Sequence, residues 1–479
     1  MKQFQKERFM TAAKKLSTMS AAEFVQWFPS HWVSRINAAV LILIALLPVL
    51  LSLLFQEPME ASAMIDAYSA DLVNLYAFSS FWYQTLLFLG FPLGLMTALV
   101  CAKNRDQKKS LRCIQMDRIK TSLLPIGLLL MLVWSIPSAL LSNNLKLCFL
   151  GDGYRHEGVL TYCVYALVFA GALQVSEKHM RWVAEVLCAT CAFTGILVIT
   201  AGQIFPGLFY LNSVLQAAMF HNSNHYGYYL AICFPICFGL ILEESNPNIF
   251  RRIVRLAEFW LICNAIAFSN CRGSFLANVA AVIGWNICVF VQHKQKWKKC
   301  LVLDLLFVLT ILVLHTESGL MSRMYTMIME LLQIQQAQSI EDLNTMGSNR
   351  GLYWRYGIQF ALERPLFGYG PDNLGYKYTE IRSGLLDRPH NELIQFAASL
   401  GFPALIFYVT AIGNHVAAFF RCFRKLNLFH LALFASVGSY LVSSMFGNTM
   451  YYTTVYYIMI LAFTYRICNP VNTEENSSP

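Results

Sequence analysis

Charge is scarce in this chain of 479 residues: Asp, Glu, Lys and Arg together make up 13% of it, against 57% hydrophobic residues. The mean hydropathy is +0.49. A soluble protein of this length cannot bury so much apolar surface, so the composition points to a polytopic membrane protein. The 14 cysteines stand singly, mostly within apolar runs, and none lies in 316–392. Cys188 and Cys191 are the closest pair in sequence, and they sit inside a single apolar run. There is neither a disulfide framework nor a metal-ligand spacing. No internal repeat is visible, so the inverted-repeat signature of many transporters is missing. No cleavable signal pattern opens the chain. Residues 1–36 read as a polar, amphipathic cytoplasmic segment, with Trp27, Phe28 and Trp32 on the inner membrane surface.

Long apolar runs are what the chain does have. Stretches of about the 20 residues needed to cross hydrocarbon fall at 37–55, 78–102, 121–141, 159–175, 183–204, 225–242, 256–270, 274–292, 301–315, 393–420, 428–446 and 449–467. They predict an all-α polytopic membrane protein of about twelve transmembrane helices. Nine spans fill 37–315 and three fill 393–467, with a cytoplasmic tail at 468–479. The net charge of +9 is distributed as an orientation signal rather than as a nucleic-acid surface. With the N-terminus inside, 26 of the 36 Lys and Arg residues fall in segments predicted to be cytoplasmic. The outer face then receives 56–77, 142–158, 205–224, the turn at 271–273 and the long segment 316–392. That long segment carries two helix-like stretches, 320–337 and 350–363.

Chemistry is expected on that outer face. His390 lies in Arg388-Pro389-His390-Asn391-Glu392, at the mouth of the run 393–420. With Asn391 or the histidine itself near the N-cap, the positive helix end disfavours imidazolium and keeps the ring neutral, able to accept a proton. The plainer reading is an interfacial histidine bonded to a loop carbonyl. Arg272 stands between two apolar runs on the side where positive residues are disfavoured, which marks it for an anion, either a substrate or a lipid phosphate. Arg350 follows Gly347-Ser348-Asn349 and is expected to open a helix, where a cation and free backbone N–H groups together make an anion site. Arg155 and Glu157 either bind substrate or pair with each other. Asn222, Asn224 and His225 begin a span, as sugar contacts or as caps. Tyr369, Tyr376 and Tyr378 either stack on sugar rings or anchor the interface.

Taken in order, these segments resemble the O-antigen ligase and O-antigen polymerase superfamily of bacterial envelope glycosyltransferases. The resemblance rests on Arg350, Trp354, the turn Arg364-Pro365-Leu366-Phe367-Gly368-Tyr369-Gly370-Pro371-Asp372-Asn373, His390-Asn391-Glu392-Leu393-Ile394-Gln395, and Leu400-Gly401. Asn270-Cys271-Arg272-Gly273 is similar to the family's Ser-Arg-Gly element, with Cys where Ser is usual. Asn222-Ser223-Asn224 and Arg155-His156-Glu157-Gly158 resemble further family elements. The match covers roughly 150–420. Ser399 replaces a frequent acidic residue, and Ala404 replaces a frequent glycine.

The resemblance implies transfer of a glycan from an undecaprenyl-diphosphate carrier to an acceptor hydroxyl in surface polysaccharide assembly. The acceptor would be a glycan, a glycolipid or a protein, reached on the outer face of a bacterial plasma membrane, without a metal or other cofactor and with inversion. It makes His390 the general base, with Arg272, Arg350 and Arg155 on the diphosphate. Asn391, Asn224, Glu157 and Tyr369 become glycan or acceptor contacts. Membrane lipids are the remaining partners, and nucleic acid is not one. The alternative from another class is an envelope lipid or oligosaccharide transporter or flippase. It requires ionisable groups at mid-membrane, whereas Glu258 and Asp304 are expected near cytoplasmic ends.

Overall fold

The computed structural model describes residues 18–54, 67–106, 123–200, 217–220, 222–245, 248–314, 318–333, 340–381 and 387–470. Among them are eighteen α-helices and no strand. In chain order they are α1 (Ala21–Trp27), α2 (Ser30–Leu54), α3 (Ala67–Asp106), α4 (Leu124–Leu140), α5 (Leu145–Leu150) and α6 (Val159–Ala172). Then come α7 (Glu177–Ile199), α8 (Ser223–Glu243), α9 (Ile249–Ser269), α10 (Arg272–Gln292), α11 (Trp297–Val313) and α12 (Leu320–Gln333). The last six are α13 (Ile340–Glu363), α14 (Gly375–Ile381), α15 (Glu392–Leu400), α16 (Phe402–Cys422), α17 (Leu428–Ser444) and α18 (Tyr451–Cys468).

A helix stands at each of the twelve expected apolar runs. Six stretches are long and apolar enough to cross a bilayer: α2, residues 79–103 of α3, α7, α8, α10 and 402–425. Helices α4, α6 and α17 are shorter but apolar. The expected loops 56–77, 103–120 and 205–224 and the tail 468–479 fall wholly or partly outside the described residues.

Apolarity on all sides of a helix demands burial on all sides. Accordingly α8 is buried from His225 to Leu240 and α18 from Tyr451 to Thr464. α8 packs against α17, α10, α9 and α7, and forms the axis of the bundle. Around it, apolar side chains turn outward in helical stripes: Leu301, Leu305, Leu309 and Leu312 on α11, and Phe88, Phe91 and Leu95 on α3. No aqueous surface would carry such rows, and hydrocarbon tails cover them at no cost. The chain is an integral membrane protein.

The expected span 393–420 is not one helix. It breaks at Gly401 (φ +86°), the common cap of α15 and α16. The turn 364–373 docks on this break. Tyr369 and Gly370 donate N–H to the carbonyls of Ala398 and Ser399 at 3.0 and 2.8 Å, and Phe402 N–H donates to Pro365 at 2.8 Å. The carbonyls left over at the end of α15 are thereby satisfied. At the other end of α15, α13 approaches closely at Gly357, where a Cβ would stand 2.6 Å from Ile394. α13 also begins ten residues before the expected start, at Ile340, and left-handed backbone at Gly347 and Asn349 distorts it just before Arg350.

Candidate active site

Segments distant in sequence converge where α8 begins, where α9 passes to α10, and where α15 begins. Asn270 closes α9 in the left-handed conformation, Cys271 is the N-cap of α10, and Arg272 is its first residue. The Cys271 thiol donates to Asn224 Oδ1 at 3.4 Å, tying this turn to the start of α8. Arg323, on α12, donates to the Asn270 carbonyl at 3.0 Å. Glu330, also on α12, accepts from the Gly347 N–H at 3.0 Å and lies 3.9 Å from the Arg272 guanidinium. Arg350 lies over the Phe446 ring, 5.8 Å from its centre.

His390 closes the ring of side chains. Its backbone is left-handed (φ +53°), and its N–H donates to Asn448 Oδ1 at 2.9 Å. The indole of Trp354 donates to its carbonyl at 3.5 Å, and the Tyr353 ring lies 5.6 Å from the imidazole.

Asn224, Asn270, Arg272, Arg323, Arg350, Tyr353 and His390 enclose one cavity of about 180 Å³. Among the described residues, no acidic side chain lines it. A cavity of about 220 Å³ at the opposite end of α8 makes the contrast. There the arginines are matched: Arg181 pairs with Glu243 at 2.6 Å, Arg251 with Glu244 at 2.8 Å and Arg255 with Glu185 at 2.9 Å. There three arginines meet three glutamates, whereas here Glu330 stands 3.9 Å from Arg272 and lines no part of the cavity, so the excess positive charge suits an anion.

Residues 257–409 match the family described as O-antigen ligase. This part of the chain is similar to the O-antigen ligase family. The matched region runs from α9 into α16 and supplies every lining residue of the cavity except Asn224. No curated protein matches the chain.

Of the residues expected from the sequence, Arg272, Arg350, His390 and Asn224 share this cavity. Arg155 does not line it: its guanidinium pairs with Asp387 and lies 3.5 Å from Met450 Sδ. Asp387 belongs to the loop that delivers His390 to the cavity, so Arg155 anchors that loop. Beside it Arg388 pairs with Asp372, both side chains buried, and Asp372 also accepts the N–H groups of Asp152 (2.7 Å) and Glu157 (3.0 Å). The Glu157 carboxyl is buried under this network and accepts from Tyr165 Oη at 2.7 Å. Burial raises its pKa to about 8, against the pull of Arg388.

Asn391 is the N-cap of α15, accepting from Ile394 N–H and donating to the Met445 carbonyl, both at 3.1 Å. Asn222 caps α8 in the same way, accepting from Asn224 N–H at 2.8 Å. Tyr369 is buried, donates to Glu363 and carries Arg364 over its ring; Tyr378 donates to the Tyr353 carbonyl at 2.9 Å. These side chains build the frame around the cavity.

Arg323, Tyr353 and Asn448 are not among the residues expected from the sequence. Arg323 carries a usable signal, being a basic residue in a segment expected outside, the same ground that marks Arg272. Asn448 carries none.

His390 is neutral at ordinary pH, for a reason other than the helix end invoked from the sequence. Burial first, and then Arg350, Arg155 and Arg388, hold its pKa down to about 4, although Asp387 pulls the other way.

Proposed function

We propose that this protein is a membrane glycosyltransferase. It moves a glycan from a polyprenyl-diphosphate carrier, undecaprenyl diphosphate in bacteria, to an acceptor hydroxyl at the outer face of the plasma membrane. The observation that carries this reading is the meeting of Arg272, Arg323 and Arg350 with His390 around one cavity. Diphosphate leaves an anomeric carbon readily only when its developing charge is neutralised. Fixed guanidinium groups in a poorly hydrated site do this without reorganising, and their planar forks suit phosphate oxygens. Direct displacement by the acceptor oxygen inverts the anomeric centre: the glycosidic C–O bond forms as the C–O bond to the diphosphate breaks, and the hydroxyl proton passes to the released diphosphate. A lipid-facing bundle with the cavity at one end of its central helix fits a donor whose tail stays in the membrane. The two acidic residues weighed for a transporter are already engaged. Glu258 pairs with Arg255 at 3.0 Å, and Asp304 accepts from Asn286 at 3.0 Å.

The test is turnover in lipid nanodiscs with a polyprenyl-diphosphate oligosaccharide and a candidate acceptor. Arg272→Ala and Arg350→Ala are each expected to lower kcat/KM by about 10²–10³-fold, the usual effect of losing one charge-stabilising donor. Full turnover by both variants at normal membrane levels would overturn the reading.

A further inference from the structure

Asn448 settles which nitrogen of His390 faces the cavity. The backbone N–H of His390 can only donate, so the Asn448 atom 2.9 Å from it must be the amide oxygen. The amide nitrogen of Asn448 then lies 3.3 Å from Nδ1 of the same residue. That nitrogen carries only hydrogens, so Nδ1 must accept. A neutral imidazole with an accepting Nδ1 carries its proton on Nε2. Nδ1 is thus capped, and Nε2, which bonds to no described residue, is the nitrogen left for a ligand. A general base acting through Nε2 needs the other tautomer, with Nδ1–H held by an acceptor. Protonation at Nδ1 would instead set N–H against N–H.

We propose that His390 meets the substrate as a hydrogen-bond donor through Nε2–H, and that Asn448 is the positioning residue that holds this tautomer. The acceptor is an oxygen of the diphosphate, whose negative charge the neighbouring arginines share; to this extent the inference rests on the function proposed above. The charged groups around the ring fit the assignment. Arg272, Arg323 and Arg350 share the cavity, and Arg155, Asp387 and Arg388 sit behind it. A neutral ring offering N–H adds a fourth donor to an anion site without adding another cation to bury.

Asn448→Asp separates donor from base by the sign of a pH dependence. A carboxylate at 448 still accepts the His390 backbone N–H, so the loop keeps its anchor. It also accepts from Nδ1, which favours imidazolium and raises the ring's pKa. Below that raised pKa the ring is doubly protonated and Nε2–H is present. Above it the proton stays on Nδ1, and Nε2 is bare. If His390 donates, the activity of N448D relative to wild type falls as pH rises through the new pKa, on the order of tenfold per unit. If His390 is a base, the ratio rises instead, and the proposal is overturned.

His390→Gln and His390→Ala form the second arm, and they decide the question if N448D is inert at every pH. Glutamine places an amide N–H near the position of Nε2 but cannot act as a base. H390Q is expected to stay within about tenfold of wild type while H390A loses about 10²–10³-fold. Equal inactivity of the two at equal membrane levels refutes the donor role. A wild-type protein that fails to turn over the polyprenyl-diphosphate glycan refutes the proposed function itself, a different result from wild-type turnover with the wrong sign in N448D.

Discussion

Left-handed backbone at non-glycine residues is uncommon, and it persists where surrounding contacts over-determine it. Two such residues, Asn270 and His390, line the cavity, and a third, Asp372, belongs to the buried charge network beside it. None of this is visible in a sequence, because a histidine with φ +53° is spelled like any other. What can be read is charge out of place: Arg272 and His390 stand out for that reason, and Arg323 carries the same signal. Asn448 escapes such a reading because its effect on the ring is purely geometric.

Glu157 offers a prediction at this scale. Its folded pKa of about 8 lies above the ordinary 4.5. Between those values the folded state binds more protons than the unfolded state, so stability falls as pH rises. Glu157→Gln removes the penalty. Thermal unfolding of variant and parent is expected to agree near pH 5, with the variant more stable by a few kcal/mol near pH 9. A difference that stays flat with pH, or that shrinks as pH rises, contradicts the assignment.

At the scale of elements, hydropathy gives no hint of the break in the run 393–420, because Leu400-Gly401-Phe402 is as apolar as the rest; the signal lies in Gly401 and Pro403, a helix end followed by a proline in the first turn of the next helix. Hydropathy counts residues and ignores a carbonyl that needs a partner. The turn 364–373 is legible as a motif, and the fold supplies its physical purpose: its backbone completes the last turn of α15, the helix whose N-cap, Asn391, follows His390. Likewise Gly347-Ser348-Asn349 reads as a helix start, yet α13 continues upstream through it.

Gly401→Ala tests this joint. An alanine Cβ would stand 2.1 Å from the Leu366 carbonyl, at a φ of +86°. The left-handed cost alone is about 1–2 kcal/mol, and a backbone clash cannot be relieved by a rotamer change. G401A is expected to lose most of its folded protein in detergent, judged by size-exclusion profile. A monodisperse and active G401A would show that the turn does not brace α15.

At the scale of the whole molecule, a helix stands at each of the twelve expected runs, and six stretches have the length that bilayer thickness demands of a span. One helix exceeds it. α3 runs for 40 residues, about 60 Å at 1.5 Å per residue, against roughly 30 Å of hydrocarbon. Hydropathy marks only its apolar middle, since the flanks carry no periodic signal that outlasts the membrane. The site is legible in its ligands but not in its assembly. Its residues come from α8, α10, α12, α13, the turn between α9 and α10 and the loop before α15, and only the packing of the bundle brings them together.

Orientation follows from charge, and it makes the last prediction. Basic residues gather at the end holding Arg181, Arg251 and Lys299, and the cavity opens at the other end. By the positive-inside rule the cavity end is expected to face outward, where the proposed lipid-linked glycan would be used. In a variant lacking the exposed Cys101, a cysteine placed at Glu380, exposed on α14 near the cavity end, is expected to react with an impermeant maleimide on intact cells. One placed at Lys298, exposed at the opposite end, is expected to react only after permeabilisation. The reverse pattern would put the arginine cavity in the cytoplasm. It would leave the anion site standing and remove the outer-face acceptor from the proposed reaction.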